Sequence, residues 1–263
     1  NVEIGKDKSI EELKKDHDAI LISTGVYKPR EVNLPGNNLK NIFPAMEFLT
    51  ASNRKGLGDR VKKFENGILN AENKNVVVIG GGDTAMDCVR TAIRQNAKSV
   101  KCLYRRDKEN MPGSIREVNN AEEEGIKFLW LTNPKKFIGN ENISSLLAEK
   151  MELGPTDSTG RKTPKPILNS DFEIKTDMVI KALGFDPEDI PKLFNNPQLS
   201  VSNLGTVKIN LKSMETNIPG IFAAGDIVRG ASLVVWAIKD GREAAQSIKR
   251  YLENKILNKT KAA

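Results

Sequence analysis

NVVVIGGGDTAMD, from Asn75 to Asp87, reads as a buried strand, a tight turn and the start of a helix, in that order. Val76, Val77, Val78 and Ile79 are β-branched, which suits a strand covered on both faces. They run directly into Gly80-Gly81-Gly82, and a helical pattern follows from Asp83. Such a corner aims backbone N–H groups and the positive end of a helix dipole at one spot, which suits a pyrophosphate.

The neighbouring segments extend the pattern. The helix predicted from Asp83 to Gln95 places Ala85, Cys88, Val89, Ala92 and Ile93 on one face. SVKCLY (Ser99–Tyr104) is the next strand, residues 115–124 a helix stopped by Gly125, and IKFLWL (Ile126–Leu131) a third strand. A βαβαβ series implies a parallel sheet with right-handed crossovers. Residues 134–175 are polar and turn-rich and read as an antiparallel meander. It includes ISSLLAEKMEL and the loop GPTDSTGRKTPKP (154–166). MVIKALGF (Met178–Phe185) is a further buried strand, ending in Ala182-Leu183-Gly184.

The flanks have a different texture. Residues 9–16 form a short helix that Ser9 can cap. AILISTG (Ala19–Gly25) is a buried strand ending in Thr24-Gly25, and residues 26–44 are a loop rich in Pro, Gly and Asn. Pro44 opens a helix carrying Met46, Phe48 and Leu49, and the lysine-rich stretch 52–74 reads as a crossing between domains. Near the end, GIFAAGD (Gly220–Asp226) is a strand. Leu233–Leu252 is a long helix with apolar Val234, Val235, Ala237, Ile238, Ala244, Ala245 and Ile248. No fixed-period repeat is present. The strand-then-small-glycine echo at Ser23–Gly25 and Ala182–Gly184 points to two related lobes.

The glycine turn matches G-x-G-x-x-G/A as Gly80-x-Gly82-x-x-Ala85. Gly80 permits the turn, Gly82 lets phosphate approach the backbone, and Ala85 allows close packing of helix on strand. Asp83 and Thr84 can cap the helix, and Thr84 can donate to a phosphate. A tight turn without a ligand is the bland alternative. The following strand then selects the nucleotide. An NAD site ends it with a carboxylate for the ribose 2′-hydroxyl, whereas this strand ends Tyr104-Arg105-Arg106. Two guanidinium groups suit a 2′-phosphate through forked, charge-assisted hydrogen bonds, so the predicted cofactor is NADPH. Asp107 is too late in the chain for the ribose role but can pair with Arg106. At the C-terminal corner, Asp226 can hydrogen-bond a sugar-alcohol chain. The helix starting near Leu233 can face an electron-rich ring edge.

Composition narrows the function classes. The net charge is +7. The basic residues are spread among many acids and aromatics are few, so a solvated surface is expected rather than a nucleic-acid face. No apolar run approaches the roughly 20 residues of a membrane span. The two cysteines, Cys88 and Cys102, have neither C-x-x-C nor metal-ligand spacing and read as small buried hydrophobes in a reducing cytoplasm. His17, the single histidine, lies between Asp16 and Asp18, where a catalytic role is not expected.

GGGDTAMDCVRTAIRQ, YRRDKENMPGSIREVNNAEEEG and IFAAGDIVRGASLVVWAIKDGREAA resemble the small (beta) subunit of bacterial NADPH-dependent glutamate synthase. The wider group includes the flavin half of dihydropyrimidine dehydrogenase, and the likeness runs from about Ile10 to Leu252. It implies an α/β, two-dinucleotide-binding-domain flavoprotein. A Rossmann-like NADPH domain, 53–184, with a parallel sheet and an antiparallel meander, is inserted in a partial FAD domain made of 1–52 and 185–263. In that family Gly81, Gly82, Asp83, Thr84, Arg105, Arg106, Ala182, Leu183 and Gly184 lie against NADPH. Thr24, Gly25, Gly225, Asp226, Ser232, Leu233 and Val234 lie against FAD. The turn Met111–Ser114 shapes the cofactor cleft in the family, although by sequence alone it is equally an ordinary Pro-Gly turn. Trp236 can pack near the flavin, in the core or at an interface.

The resemblance also implies hydride passage from NADPH to FAD and onward electron flow through iron–sulfur clusters to a large (alpha) subunit that makes glutamate. Family members carry the FAD fingerprint and the cluster cysteines upstream of any segment here. The chain is therefore expected to be a fragment with an incomplete FAD site. Two cysteines cannot supply the four thiolates of a cluster. Absence of C-x-x-C argues against thioredoxin reductase. A flavin subunit serving a pyrimidine reductase or a ferredoxin–NADPH enzyme remains open, as does a non-catalytic NADPH-binding module.

Overall fold

A computed structural model describes residues 1–156 and 160–262. Residues 157–159, in the middle of the expected 154–166 loop, lie outside the described residues. In chain order the elements begin with α1 (Ile10–Asp16), β1 (Ile20–Ile22), β2 (Lys28–Pro29), β3 (Ile42–Pro44), α2 (Ala45–Gly56) and α3 (Lys62–Glu65). Next come β4 (Asn75–Ile79), α4 (Asp83–Arg94), β5 (Ser99–Leu103), α5 (Ile115–Glu123), β6 (Lys127–Leu129), β7 (Thr132–Gly139), β8 (Ile143–Thr156), β9 (Lys162–Pro166) and β10 (Phe172–Lys175). The chain continues with β11 (Met178–Lys181), β12 (Phe185–Asp186), α6 (Ile190–Leu193), β13 (Ile221–Ala223), α7 (Asp226–Arg229) and α8 (Val234–Ala262).

The chain divides into two compact units, Asn1–Lys28 with Phe185–Ala263, and Pro29–Gly184. In the second, five parallel strands are ordered β3-β11-β4-β5-β6. β4 is flanked on both sides, so Val76 and Val78 are buried on one face and Val77 and Ile79 on the other. Each fully buried side chain of this size contributes about 1.5–3 kcal/mol relative to exposure. α4 covers the first face with Ala85, Met86, Cys88, Val89 and Ala92. Met86, absent from the predicted apolar face, is buried with them. The second face packs on the antiparallel meander β7–β10 through Phe137, Leu146, Ala148 and Ile174. Both cysteines are buried and unbridged; burial alone pushes the Cys102 thiol up to about 12, and Cys88 is raised for the same reason.

The expected boundary at 52/53 moves to 28/29. β3 pairs in register with β11 (Ile42↔Val179), and Phe48 on α2 is fully buried in the α4 core. The 52–74 stretch is therefore not a crossing. α2 continues through it to Gly56, and Leu69 and Ala71 enter the same core. Hydrophobic closure of the outer parallel strand outweighed the polar composition on which the boundary was read.

The other unit is smaller. Ser9 caps α1 through a capping box with Glu12. β1 and β13 run parallel, Ile20↔Ile221 to Ile22↔Ala223. Ile10, Ile22, Ile190, Val207, Ile221 and Ile227 form its core. Leu21 is exposed, so β1 is buried on one side only. His17 ends α1 as its C-cap, with backbone bonding to Leu13. α8 corrects the expected apolar face: Ala244 is buried, whereas Val234, Val235 and Ile238 are exposed. Among the described residues no helix is long and apolar enough to cross a membrane.

Candidate functional site

The sheet register brings three loops together. Ile79 of β4 lies opposite Lys181 of β11 and Leu103 of β5, so all three strands end side by side. Their continuations are Gly80–Gly82, Ala182–Gly184 and Tyr104–Arg106. β4 leads through α4 to β5 on one side, while β11 and β3 lie on the other, so the strand order reverses at β4/β11. The crevice outside the carboxyl ends at such a reversal is where open α/β sheets bind ligands.

Each glycine of the turn has a separate reason. Gly80 has φ +147°, and a Cβ there would be driven into the Ala182 carbonyl oxygen. A Cβ on Gly81 would run into the Tyr104 ring, at 2.4 Å from its Cδ2 and Cε2 atoms. Gly82 is the N-cap of α4 with extended backbone, and nothing occupies the space a Cβ would take. The helix has no side-chain cap. Among the described residues the N–H groups of Gly81, Gly82, Asp83 and Thr84 make no hydrogen bond. Four unmatched donors at the start of a 12-residue helix fit an anion. The Asp83 carboxylate does not cap the helix and instead accepts from Ser114 N–H at 2.8 Å.

The arginine pair is divided by the fold. Arg105 is exposed, while Arg106 is 7% exposed and its Nε donates to the Lys162 carbonyl at 2.7 Å. Arg106 therefore ties β9 to the end of β5. Two turns along α4, Arg90 holds Glu117 and Glu124, and its hydrogen bond keeps the Glu124 carboxyl below the usual range. Burial, with Asp83 and Glu117 nearby, pushes the Asp87 carboxyl up. Directly before the Ala182–Gly184 loop, Lys181 is buried and paired with Glu31 and Asn37. Sequence reasoning missed Lys181, whose signal was a charged residue ending an otherwise apolar strand. The groove between α2 and α3, about 490 Å³, is lined by Met46, Thr50, Val61 and Leu69 and takes no residue from these loops.

The other unit holds the remaining predicted residues. Because β1 and β13 are paired, Thr24-Gly25 and Gly225-Asp226 follow adjacent strand ends. Gly225 has φ +78° and starts α7, a turn of helix not foreseen between β13 and α8. Ser232, Leu233 and Val234 are exposed before and at the start of α8. Trp236 is 44% exposed, with Arg229 and Lys239 over its ring rather than core side chains. Arg229 also donates twice to Asp240, at 2.5 Å each, and Asp240 is 2% exposed.

That hydrogen bond, with Gly225 N–H in support, holds the Asp240 carboxyl below its ordinary 3.8. A depressed folded-state pKa gives stability that is present above the ordinary Asp value and lost as pH falls through the lowered one. Urea midpoints between about pH 5 and pH 2 should therefore fall more steeply for the wild type than for Asp240→Asn. At neutral pH the variant should be the less stable, because Arg229 loses its counter-charge. Parallel pH curves would show that the pair does not carry the linkage.

Comparison with known proteins follows the same lines. The family model described as pyridine nucleotide-disulphide oxidoreductase matches residues 1–241. The NADPH glutamate synthase small chain of Azospirillum brasilense is 56% identical over 255 residues, covering 97% of this chain and 53% of that protein. The protein of the same name from Escherichia coli K12 is 39% identical over 258 residues, covering 96% and 54%. The chain spans about half the length of these relatives. Among solved structures, FprA from Mycobacterium tuberculosis in complex with NADPH superposes with a TM-score of 0.77 at 18% identity, covering 97% of this chain and 68% of that one. At that identity the likeness speaks for the fold.

Proposed function

Since the chain belongs to the pyridine nucleotide-disulphide oxidoreductase family, we propose that it is the NADPH-binding and FAD-contacting part of a glutamate synthase small subunit. The observation that carries this reading is the glycine turn with four unmatched N–H groups, set beside an exposed arginine at the next strand end. The identity to small-chain relatives supports it.

The residues have distinct tasks. Gly81, Gly82, Asp83 and Thr84 present backbone N–H groups to the pyrophosphate, and the α4 dipole adds to them. Arg105 meets the 2′-phosphate with its guanidinium fork. Ala182, Leu183 and Gly184 border the same crevice at the end of β11. In the other unit, Thr24, Gly25, Gly225 and Asp226 meet the flavin's polar chain. Ser232, Leu233 and Val234 open α8, and the N–H groups of Val234 and Val235 make no hydrogen bond among the described residues. That helix start suits negative charge on a ring edge. When bound, NADPH supplies a hydride and FAD accepts it; the protein contributes orientation and electrostatics. Electrons would then pass through iron–sulfur clusters, whose four thiolates this chain's two cysteines could not supply, to a large subunit that forms glutamate.

FAD has its own pyrophosphate and calls for a second glycine fingerprint, and this sequence contains one, used for NADPH. The 263-residue chain is therefore expected to bind NADPH without retaining FAD. Titration with NADPH and NADH, with and without added FAD, checks this. Saturable binding that prefers NADPH, with FAD lost on gel filtration, is the expected result. Equal affinity for both nucleotides, or none for either, overturns the assignment of the glycine site. Stoichiometric FAD with NADPH-driven dye reduction overturns the view that the flavin site is partial.

A further inference from the structure

The loop between the arginine pair and α5 is latched to the glycine turn at three points. Gly113 N–H donates to the Gly81 carbonyl at 2.9 Å. Ser114 N–H donates to the Asp83 carboxylate at 2.8 Å. The Tyr104 hydroxyl, whose ring abuts Gly81, donates to the Asn110 carbonyl at 3.0 Å. The approach is close enough that a Cβ on Gly113 would lie 3.1 Å from the Gly81 oxygen. Asp107 closes the loop's start by accepting from Asn110.

A carboxylate at the mouth of an anion site is unfavourable unless something else satisfies it. Asp83 is satisfied by the first turn of α5, whose N-cap residue Ser114 makes no side-chain cap of its own. The carboxylate of one helix start thereby caps the next. The bonds at Gly81 and Asp83 engage one acceptor oxygen each on that edge, while the N–H groups beside Gly82 stay unmatched among the described residues. Resting on the nucleotide reading above, we propose that Asp83 is a positioning residue: its side chain holds the 107–114 loop against the glycine turn and does not itself contact the pyrophosphate. Its carboxylate keeps the cradle electropositive by facing α5.

The test uses the full chain with NADPH and NADH as probes. Asp83→Ala removes the acceptor, while Asp83→Asn keeps one. Ser114→Pro removes only the donor, at a residue whose φ of −57° already suits proline. Hydrogen–deuterium exchange at residues 110–114, read without nucleotide, should rise about tenfold in Asp83→Ala and in Ser114→Pro and stay near wild type in Asp83→Asn. Affinity for NADPH and for NADH should fall together, by about tenfold, in the first two variants and change little in the third. Unchanged exchange in Asp83→Ala and Ser114→Pro overturns the latch. Weakened binding in Asp83→Asn with the loop still protected means that the carboxylate touches the nucleotide, which also overturns it. A wild-type chain that binds no nucleotide defeats the functional reading instead, and the exchange data alone then decide whether Asp83 holds the loop. Should Asp83→Ala fail to fold, Ser114→Pro carries the same comparison.

Discussion

Replacing Gly80 with alanine is expected to destabilise the sheet unit by about 2–4 kcal/mol. Two costs combine. The backbone sits at φ +147°, where an L side chain is strained, and the new methyl is forced against the Ala182 carbonyl oxygen. That carbonyl cannot retreat readily, because Ala182 N–H is bonded to the Ile79 carbonyl and Ala182 is buried in the core. Urea denaturation should show a lower midpoint with an unchanged slope. Nucleotide binding should be lost as a consequence of the distorted corner. Gly82→Ala is the control. Its backbone is extended and its surroundings open, so stability should change by less than about 1 kcal/mol. The added methyl would nonetheless stand where phosphate approaches, and NADPH affinity should fall. If Gly82→Ala proves as unstable as Gly80→Ala, the division of labour between the two glycines is wrong.

The second large effect concerns selectivity. Arg105→Ala should weaken NADPH by roughly 10- to 100-fold, the size of a charged hydrogen-bonded contact of about 1.5–3 kcal/mol. NADH, lacking the 2′-phosphate, should be almost unaffected. Arg105 is exposed and makes no hydrogen bond or ion pair among the described residues, so its removal leaves the fold intact. Arg106→Ala should behave differently. It removes the buried side chain that donates to the Lys162 carbonyl and should lower stability by about 1–3 kcal/mol, shifting both nucleotides in parallel. Nucleotide titrations and denaturation curves on the two single variants separate these outcomes. Equal loss of NADPH and NADH in Arg105→Ala would remove the basis for assigning a 2′-phosphate.

The sequence determined by itself those features set by the local chain. The run Val76–Ile79 has no polar face and so had to be covered on both sides. Gly80–Gly82 has no side chain to block a tight turn or a phosphate, and Ala85 is small where α4 meets the sheet. Ser9 with Glu12 forms the capping box its spacing allows. The polar, turn-rich texture of residues 134–175 announced the antiparallel strands. These properties reside in short segments and survive translation into structure.

Tertiary structure alone decided which of two equivalent neighbours does which task. Arg105 and Arg106 are the same residue type, and only the pairing of distant β9 with β8 puts the Lys162 carbonyl within reach of one of them. The polar stretch 52–74 reads as a linker until Phe48, Leu69 and Ala71 are seen closing the core over Val76 and Val78. Asp83 reads as a cap for its own helix until Ser114, 31 positions away, takes its carboxylate. The physical reason is common to all three. Hydrogen-bond partners and shielding from water come from segments far apart in the chain, and no local pattern of residue types encodes which segments will meet.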